Sequence, residues 1–272
     1  MDEISLRVNI ARNSALLENV FMMIVCIELR IPLFIIGKPG SSKSLAKSIV
    51  ASAMTGNNSR SIFFQNLKET YFVNFQCSPL TTSEMIVNAF REAARFQENN
   101  DLSRSVSIVN LDEIGLAEGS ESMPLKSLHS LLERGAYSAD NEQYHEHHRV
   151  GVIGISNWAL DPAKMNRGLF VSRGEPDIEE LVTSAEGICK YDHSIFECIK
   201  PHIREIAVAY LELCENARQY KREFFGLRDY YSLIKMLYWF CSKDMQMTWF
   251  KLEHAVKRNF NGKFSLFTYN KI

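Results

Sequence analysis

Two short stretches carry side chains of the types and spacing that handle a polyphosphate. The first is Gly37-Lys38-Pro39-Gly40-Ser41-Ser42-Lys43-Ser44, running on into Leu45. It follows the phosphate-loop pattern G-x-x-x-x-G-K-[ST] except at one place, because Ser42 stands where glycine is usual. Such a loop aims successive backbone N–H groups and the positive end of the following helix at an anion. Lys43 adds a formal charge for the outer phosphates, and the Ser44 hydroxyl is the natural Mg2+ ligand. Gly37 and Gly40 let the loop curl. Serine at 42 is tolerated at helical dihedrals, whereas a positive φ costs about 1–2 kcal/mol. Binding energy can cover that amount, so the departure does not disable the loop.

The second stretch is Val106-Ser-Ile-Val-Asn-Leu-Asp112-Glu113, an apolar run that ends in adjacent carboxylates. Along an extended strand neighbouring side chains point to opposite faces. One carboxylate can therefore meet a metal and the other an attacking water. Asp112 is the candidate Mg2+ partner, directly or through water. Glu113 is the candidate general base. A solvated acidic pair at a strand end is the bland alternative, and the phosphate loop weighs against it. Asn157 closes a third apolar run, Val150 to Ser156. It either orients the water or the terminal phosphate, or is an ordinary turn residue.

These residues need a scaffold, and the patterning supplies one. Leu33 to Ile36 is wholly apolar, as in a central parallel strand covered on both faces. Comparable runs recur at Tyr71 to Gln76, Val106 to Leu111 and Val150 to Ile155. Helical stretches at Ser44 to Met54, Thr82 to Phe96 and Leu125 to Leu132 lie between them. Alternation of this kind predicts a parallel α/β sheet. A preceding helix, Ala15 to Leu29, is apolar around most of its circumference and is expected to be largely buried. After Gly-Glu-Pro at 174–176 the spacing becomes helical, through Ile203 to Ala217 and Tyr230 to Cys241, with an unclear strand-like run at Phe264 to Thr268.

Composition narrows the class. The 272 residues are 46% hydrophobic and 23% charged, with a net charge of −1. That is globular, and it lacks the basic excess that points to nucleic acid. Six cysteines without a C-x-x-C pair read as reduced thiols of an intracellular protein. The polar N-terminus does not read as a signal peptide. The apolar run Val20 to Ile27 is far short of the ~20 residues a membrane span needs. A cytosolic protein with no membrane span is expected. His145 and His147 would share one face of a strand, but nothing else in the spacing completes a metal site, so a solvated loop is the reading there. The aromatic stretch Tyr230 to Phe250 reads as core of the helical part. Asn110, polar inside an apolar strand, has no evident task.

The order of phosphate loop, Asp-Glu strand end, polar strand end and helical segment resembles the AAA+ ATPases. Longer stretches carry a closer resemblance, among them PLFIIGKPGSSKSLAKSIV, NLDEIGLAEGSESMPLKSLHSLLE and FFGLRDYYSLIKML. They are similar to one AAA+ module of the mysterin family, giant ubiquitin ligases with a dynein-like AAA+ core. The similarity runs from about residue 15 to 260, and serine before the lysine is a habit of that module. The resemblance implies a P-loop three-layer αβα core with a parallel sheet over 1–175, followed by a helical lid over 176–272. It implies ATP with Mg2+, hydrolysis, Asn157 as sensor 1 and Arg228 as a sensor-2 arginine. Arg167 or Arg173 would be an arginine finger serving a neighbouring module. Partners would be neighbouring AAA+ modules and ubiquitin-system proteins. Zinc-binding cysteine clusters of the ligase part are missing here, so this chain reads as a fragment or remnant without that chemistry. A nucleotide-binding structural module is the competing reading; a kinase or GTPase fits less well, since no base-reading Asn/Thr-Lys-x-Asp motif is present.

Overall fold

A nearly all-apolar helix and a strand without a polar residue meet at a short turn. Helix α1 (Ser14–Leu29) ends where Arg30 takes a left-handed φ of 51° and Pro32 blocks continuation. Strand β1 (Leu33–Gly37) follows, buried along its whole length. The computed structural model describes residues 10–98, 100–136, 146–219 and 225–260. The chain then alternates through α2 (Lys43–Ala53), α3 (Ile62–Gln65), β2 (Glu69–Gln76), α4 (Ser83–Glu98), β3 (Ser105–Asp112), α5 (Gly115–Glu118), α6 (Ser127–Arg134), β4 (Gly151–Ser156), α7 (Pro162–Met165) and β5 (Leu169–Arg173). These strands form a five-stranded sheet in the order β2-β3-β4-β1-β5, with every pairing parallel.

Position in the sheet explains which strands were legible. The three central strands, β3, β4 and β1, are largely buried and apolar apart from a few buried polar residues such as Ser107 and Asn110, as two covered faces favour. The edge strand β5 has Leu169 and Phe170 exposed, and its five residues carry no continuous apolar signal. It was not anticipated. Packing against the sheet comes from Ile86, Phe90 and Ala93 of α4 and Leu128 of α6, which join Phe34, Val109 and Leu111 in one cluster. The expectation for α1 is corrected in part, because Leu17 and Phe21 are exposed while Leu16, Val20 and Met23 are buried.

Asn110 has a physical setting after all. It is fully buried, and its Nδ2 donates to Asn74 Oδ1 on the paired strand at 3.2 Å. Lys47 Nζ donates to the same oxygen at 3.1 Å. The Asn110 Oδ1 itself has no protein partner. A buried unsatisfied carbonyl costs about 1–3 kcal/mol. Asn110→Leu is therefore expected to raise the chain's unfolding free energy by about 1 kcal/mol, read as a higher denaturant midpoint at unchanged slope.

A second compact unit takes residue 175 onward together with residues 10–14 and 39–41. Its helices are α8 (Ile178–Cys189), α9 (His193–Gln219), α10 (Leu227–Asp244) and α11 (Trp249–Phe260). Asp177 caps α8 by accepting from the Glu180 amide at 2.8 Å, and Asp229 accepts from the Gly226 amide at 2.9 Å at the start of α10. Leu181, Ile199, Ile203, Tyr230, Ile234 and Leu237 pack into this unit's own core. The fully buried Tyr230 donates its hydroxyl to the Leu181 carbonyl at 3.1 Å. The aromatic stretch divides, since Trp239, Trp249 and Phe250 are exposed. His145 and Phe264 to Thr268 lie outside the described residues. His147 sits in a short turn with Nδ1 3.0 Å from the Gln97 carbonyl, and among the described residues no group of three His, Cys, Asp or Glu gathers for a metal. Among them also, no helix is long and apolar enough to cross a membrane.

Candidate active site

In an all-parallel sheet the strand ends line one edge, and here that edge collects the chemistry. Ile36 pairs with Ser156, Gln76 with Asp112, and Gly37 with Arg173. The phosphate loop, Asp112-Glu113 and Asn157 therefore leave β1, β3 and β4 at the same side, where α/β sheets bind ligands.

The loop after β1 curls through two left-handed residues. Gly40 has φ +94° and Ser42 φ 60°, ψ 15°, so the chain turns twice through left-handed space before α2 begins. No side chain caps the first turn of α2. The start of a helix is a region of positive potential. Lys43 is 6% exposed, and its Nζ donates to the loop's own carbonyls, Gly37 O and, at 3.0 Å, Lys38 O. This holds the ammonium inside the curl of the loop. Ser44 is exposed at the head of α2, and Leu45 is half-buried behind it.

Ser42 takes the costlier of the two conformations considered from sequence. Ser42→Gly is expected to stabilise the chain by about 1 kcal/mol, the left-handed penalty less glycine's greater loss of backbone freedom. A rise of a few degrees in the thermal midpoint, about 2–4 °C per kcal/mol at this size, would register it. Glycine at 40 answers a closer constraint. A Cβ there would stand 2.7 Å from Leu227 Cβ and 3.3 Å from the Arg228 amide nitrogen, both of the unit to which residues 39–41 belong.

The carboxylate pair differs from expectation in how it is separated. Strand β3 ends at Asp112, and Glu113 leaves it with φ 51°. A left-handed turn, not the strand pleat, sets the backbone from which Glu113 projects. Holding a glutamate at that φ costs about 1–2 kcal/mol, and such strain is found where geometry matters to a site. Asp112 Oδ1 accepts from the Glu113 amide at 3.1 Å, which pins the turn. Glu113 Oε2 accepts from Gln76 Nε2 at 2.9 Å. Sequence reading missed Gln76, because only the β2–β3 register brings it beside the carboxylates.

Asn157 is half-buried in the turn after β4. Ser156 Oγ donates to the Trp158 carbonyl at 2.6 Å and accepts from its amide at 3.2 Å, which folds that turn tightly. Gly115 lets the two turns touch, since a Cβ there would lie 2.6 Å from both Ser156 Oγ and Trp158 Nε1. Nearby Cys77 is buried, and burial together with the Asp112 carboxylate pushes its thiol up to about 12. It stays neutral and offers no nucleophile.

The two arginines ahead of the second unit are both engaged. Arg173, 15% exposed, pairs with Glu18 Oε2 at 2.5 Å and donates to Asn19 Oδ1 at 3.3 Å. Arg167, 30% exposed, pairs with Glu133 Oε1 at 2.5 Å and lies 3.2 Å from His129 Nδ1. Arg228 is the second residue of α10.

A family model for the RNF213 AAA domain matches residues 9–180 of the chain. The chain belongs to the RNF213 (mysterin) AAA family. The mouse E3 ubiquitin-protein ligase RNF213 is 54% identical over 259 residues and the human one 53% over 264. These alignments cover 95% and 97% of this chain but 5% of either relative, so the chain spans about one twentieth of the curated relatives it matches. Solved structures agree on the fold. Drosophila ORC bound to DNA gives a TM-score of 0.53 at 11% identity, over 93% of this chain and 62% of that one. The Aeropyrum pernix ORC2 protein gives 0.52 at 11% identity, over 94% and 74%. The fold is a P-loop αβα core with a helical lid, as in these AAA+ proteins, and the chain is an AAA+ module of an E3-ligase family.

Proposed function

We propose that this module binds ATP with Mg2+ and hydrolyses it to ADP and phosphate. The observation that carries the reading is the gathering of the Lys43 loop, Asp112-Glu113 and Asn157 along the carboxyl edge of three adjacent strands. Gly37 to Leu45 would wrap the phosphates with backbone N–H groups, and Lys43 would exchange its loop carbonyls for outer phosphate oxygens. Ser44 and Asp112 are hard oxygen donors that fit Mg2+, which takes one or two protein ligands and fills its shell with phosphate and water. The bound ion would neutralise phosphate charge. Glu113 would take a proton from the attacking water while Gln76 fixes the carboxylate's direction. Asn157 would orient that water or the terminal phosphate. The A. pernix ORC2 protein, which shares the fold, was solved as ADPNP–ADP complexes.

On the pattern of the family we assign Arg228 a sensor role toward the nucleotide. Arg228→Ala is expected to weaken ATP affinity about tenfold, the effect of one charge-assisted hydrogen bond, measured by equilibrium titration. Of the two finger candidates we favour Arg167 over Arg173, because it is the more exposed and lacks a buried partner such as Asn19. It would serve a neighbouring AAA+ module in trans. In the setting of the whole ligase, turnover would regulate ubiquitin transfer carried out by other domains, in the cytosol. A second reading, a module that holds ATP as a structural wedge, draws on the engagement of both arginines within this chain. ATP hydrolysis by the purified chain, alone and mixed with neighbouring modules, decides between the two.

A further inference from the structure

The second unit holds a pair of thiols that the nucleotide reading leaves unused. Cys198 lies near the start of α9 and Cys241 near the end of α10, and the two sulfurs are 3.8 Å apart. Both are free thiols. A disulfide needs its sulfurs about 2.05 Å apart, so the two sulfurs, already in contact, have less than about 2 Å to close. Their exposure differs in a useful way. Cys198 is half-buried and meets solvent, whereas Cys241 is fully buried. Cys241 also faces the turn after α10, with its sulfur 3.7 Å from the Gln246 carbonyl and 4.0 Å from Met247 Sδ. Lys251, in the first turn of α11, donates to the Gln246 carbonyl at 2.7 Å and pairs with Asp244.

We propose that Cys198 and Cys241 are an oxidation site, at which a peroxide converts the two thiols into a disulfide linking α9 to α10. In the first step the Cys198 sulfur attacks one peroxide oxygen, the O–O bond breaks, and a sulfenic acid and water result. In the second step the Cys241 sulfur attacks the Cys198 sulfur, the S–O bond breaks, a second water leaves, and the S–S bond forms. Each thiol loses its hydrogen and the peroxide is reduced to water. Burial, then the neighbouring Cys198 thiol, push the Cys241 thiol up to about 12, while the Lys251 ammonium works the other way. Cys198 is therefore the entry point and Cys241 the resolving group, with Lys251 favouring its thiolate at the moment of attack. The bond would tie together residues 43 apart and withdraw the Cys241 S–H from the Gln246 carbonyl.

The purified chain is treated with hydrogen peroxide, free thiols are blocked with N-ethylmaleimide, and peptides are read by mass spectrometry. The expected result is a Cys198–Cys241 linked peptide lacking two hydrogens, with the maleimide label lost from both. The thermal midpoint should rise by about 5 °C or more, as closing a long loop predicts, and return with dithiothreitol. Cys198→Ser and Cys241→Ala should each abolish the linked peptide, while Cys214→Ser should leave it. Cys198→Ser replaces a half-buried residue, so it tests the pair even if Cys241→Ala folds poorly. Cys198 ending as a sulfinic acid with Cys241 still labelled, or either cysteine linked elsewhere, overturns the proposal. None of these readings depends on whether the module hydrolyses ATP.

Discussion

Lys43→Ala is expected to weaken ATP binding by at least about a hundredfold. Lys43 stands almost without solvent inside the loop, with its ammonium held by the Gly37 and Lys38 carbonyls. A triphosphate would replace those neutral acceptors with anionic ones. Hydrogen bonds to charged groups contribute about 1.5–3 kcal/mol each. Losing two of them, along with the only formal positive charge the loop turns inward, amounts to about 3–6 kcal/mol, or 10^2–10^4 in affinity. The fold should survive, because alanine is a good residue for the first turn of α2. A circular-dichroism melt unchanged within a few degrees, together with lost nucleotide binding, would separate the site from the scaffold. Unchanged affinity would mean that ATP does not use this loop.

The second large effect is expected at Glu113. Glu113→Gln keeps the length and hydrogen-bonding shape of the side chain but cannot accept the proton of a water. Loss of a general base costs about 10^2–10^4 in rate, so phosphate release should fall by that much while ATP affinity stays within about threefold. The residue is committed to one direction by the turn at φ 51° and by the Gln76 amide at 2.9 Å. A variant that keeps full turnover would move the base elsewhere along the sheet edge.

The strands that carry the candidate residues are legible in the sequence for a plain physical reason. Central parallel strands must be apolar on both faces, so β1, β3 and β4 announce themselves, and the polar residues that end them stand out. Asp112-Glu113 and Asn157 are candidates of that kind, Lys43 is a candidate by the loop pattern after β1, and their strands end along one edge. Edge strands carry no such signal, which is why β5 and the exact surroundings of Arg173 were not legible. Gln76 belongs to the other edge strand, where polar residues alternate freely, and its meaning arises only from pairing with Asp112. The dihedral of Glu113 was equally hidden. A pleated strand was a sound first expectation, but the turn begins one residue earlier, and no feature of glutamate advertises a left-handed φ. Ser42 is the reverse case. Its type at a glycine position leaves a helical and a positive-φ conformation open, and the chain takes the positive one.

The claim at the centre is that the chain cleaves ATP at this edge and does not merely hold it. A single-turnover experiment, with the purified chain in excess over ATP labelled in its terminal phosphate, addresses it directly. The account predicts that the label leaves as inorganic phosphate in one exponential phase, in a magnesium-dependent manner. Label that stays in bound, intact ATP throughout would contradict hydrolysis and leave a nucleotide-binding structural module in its place.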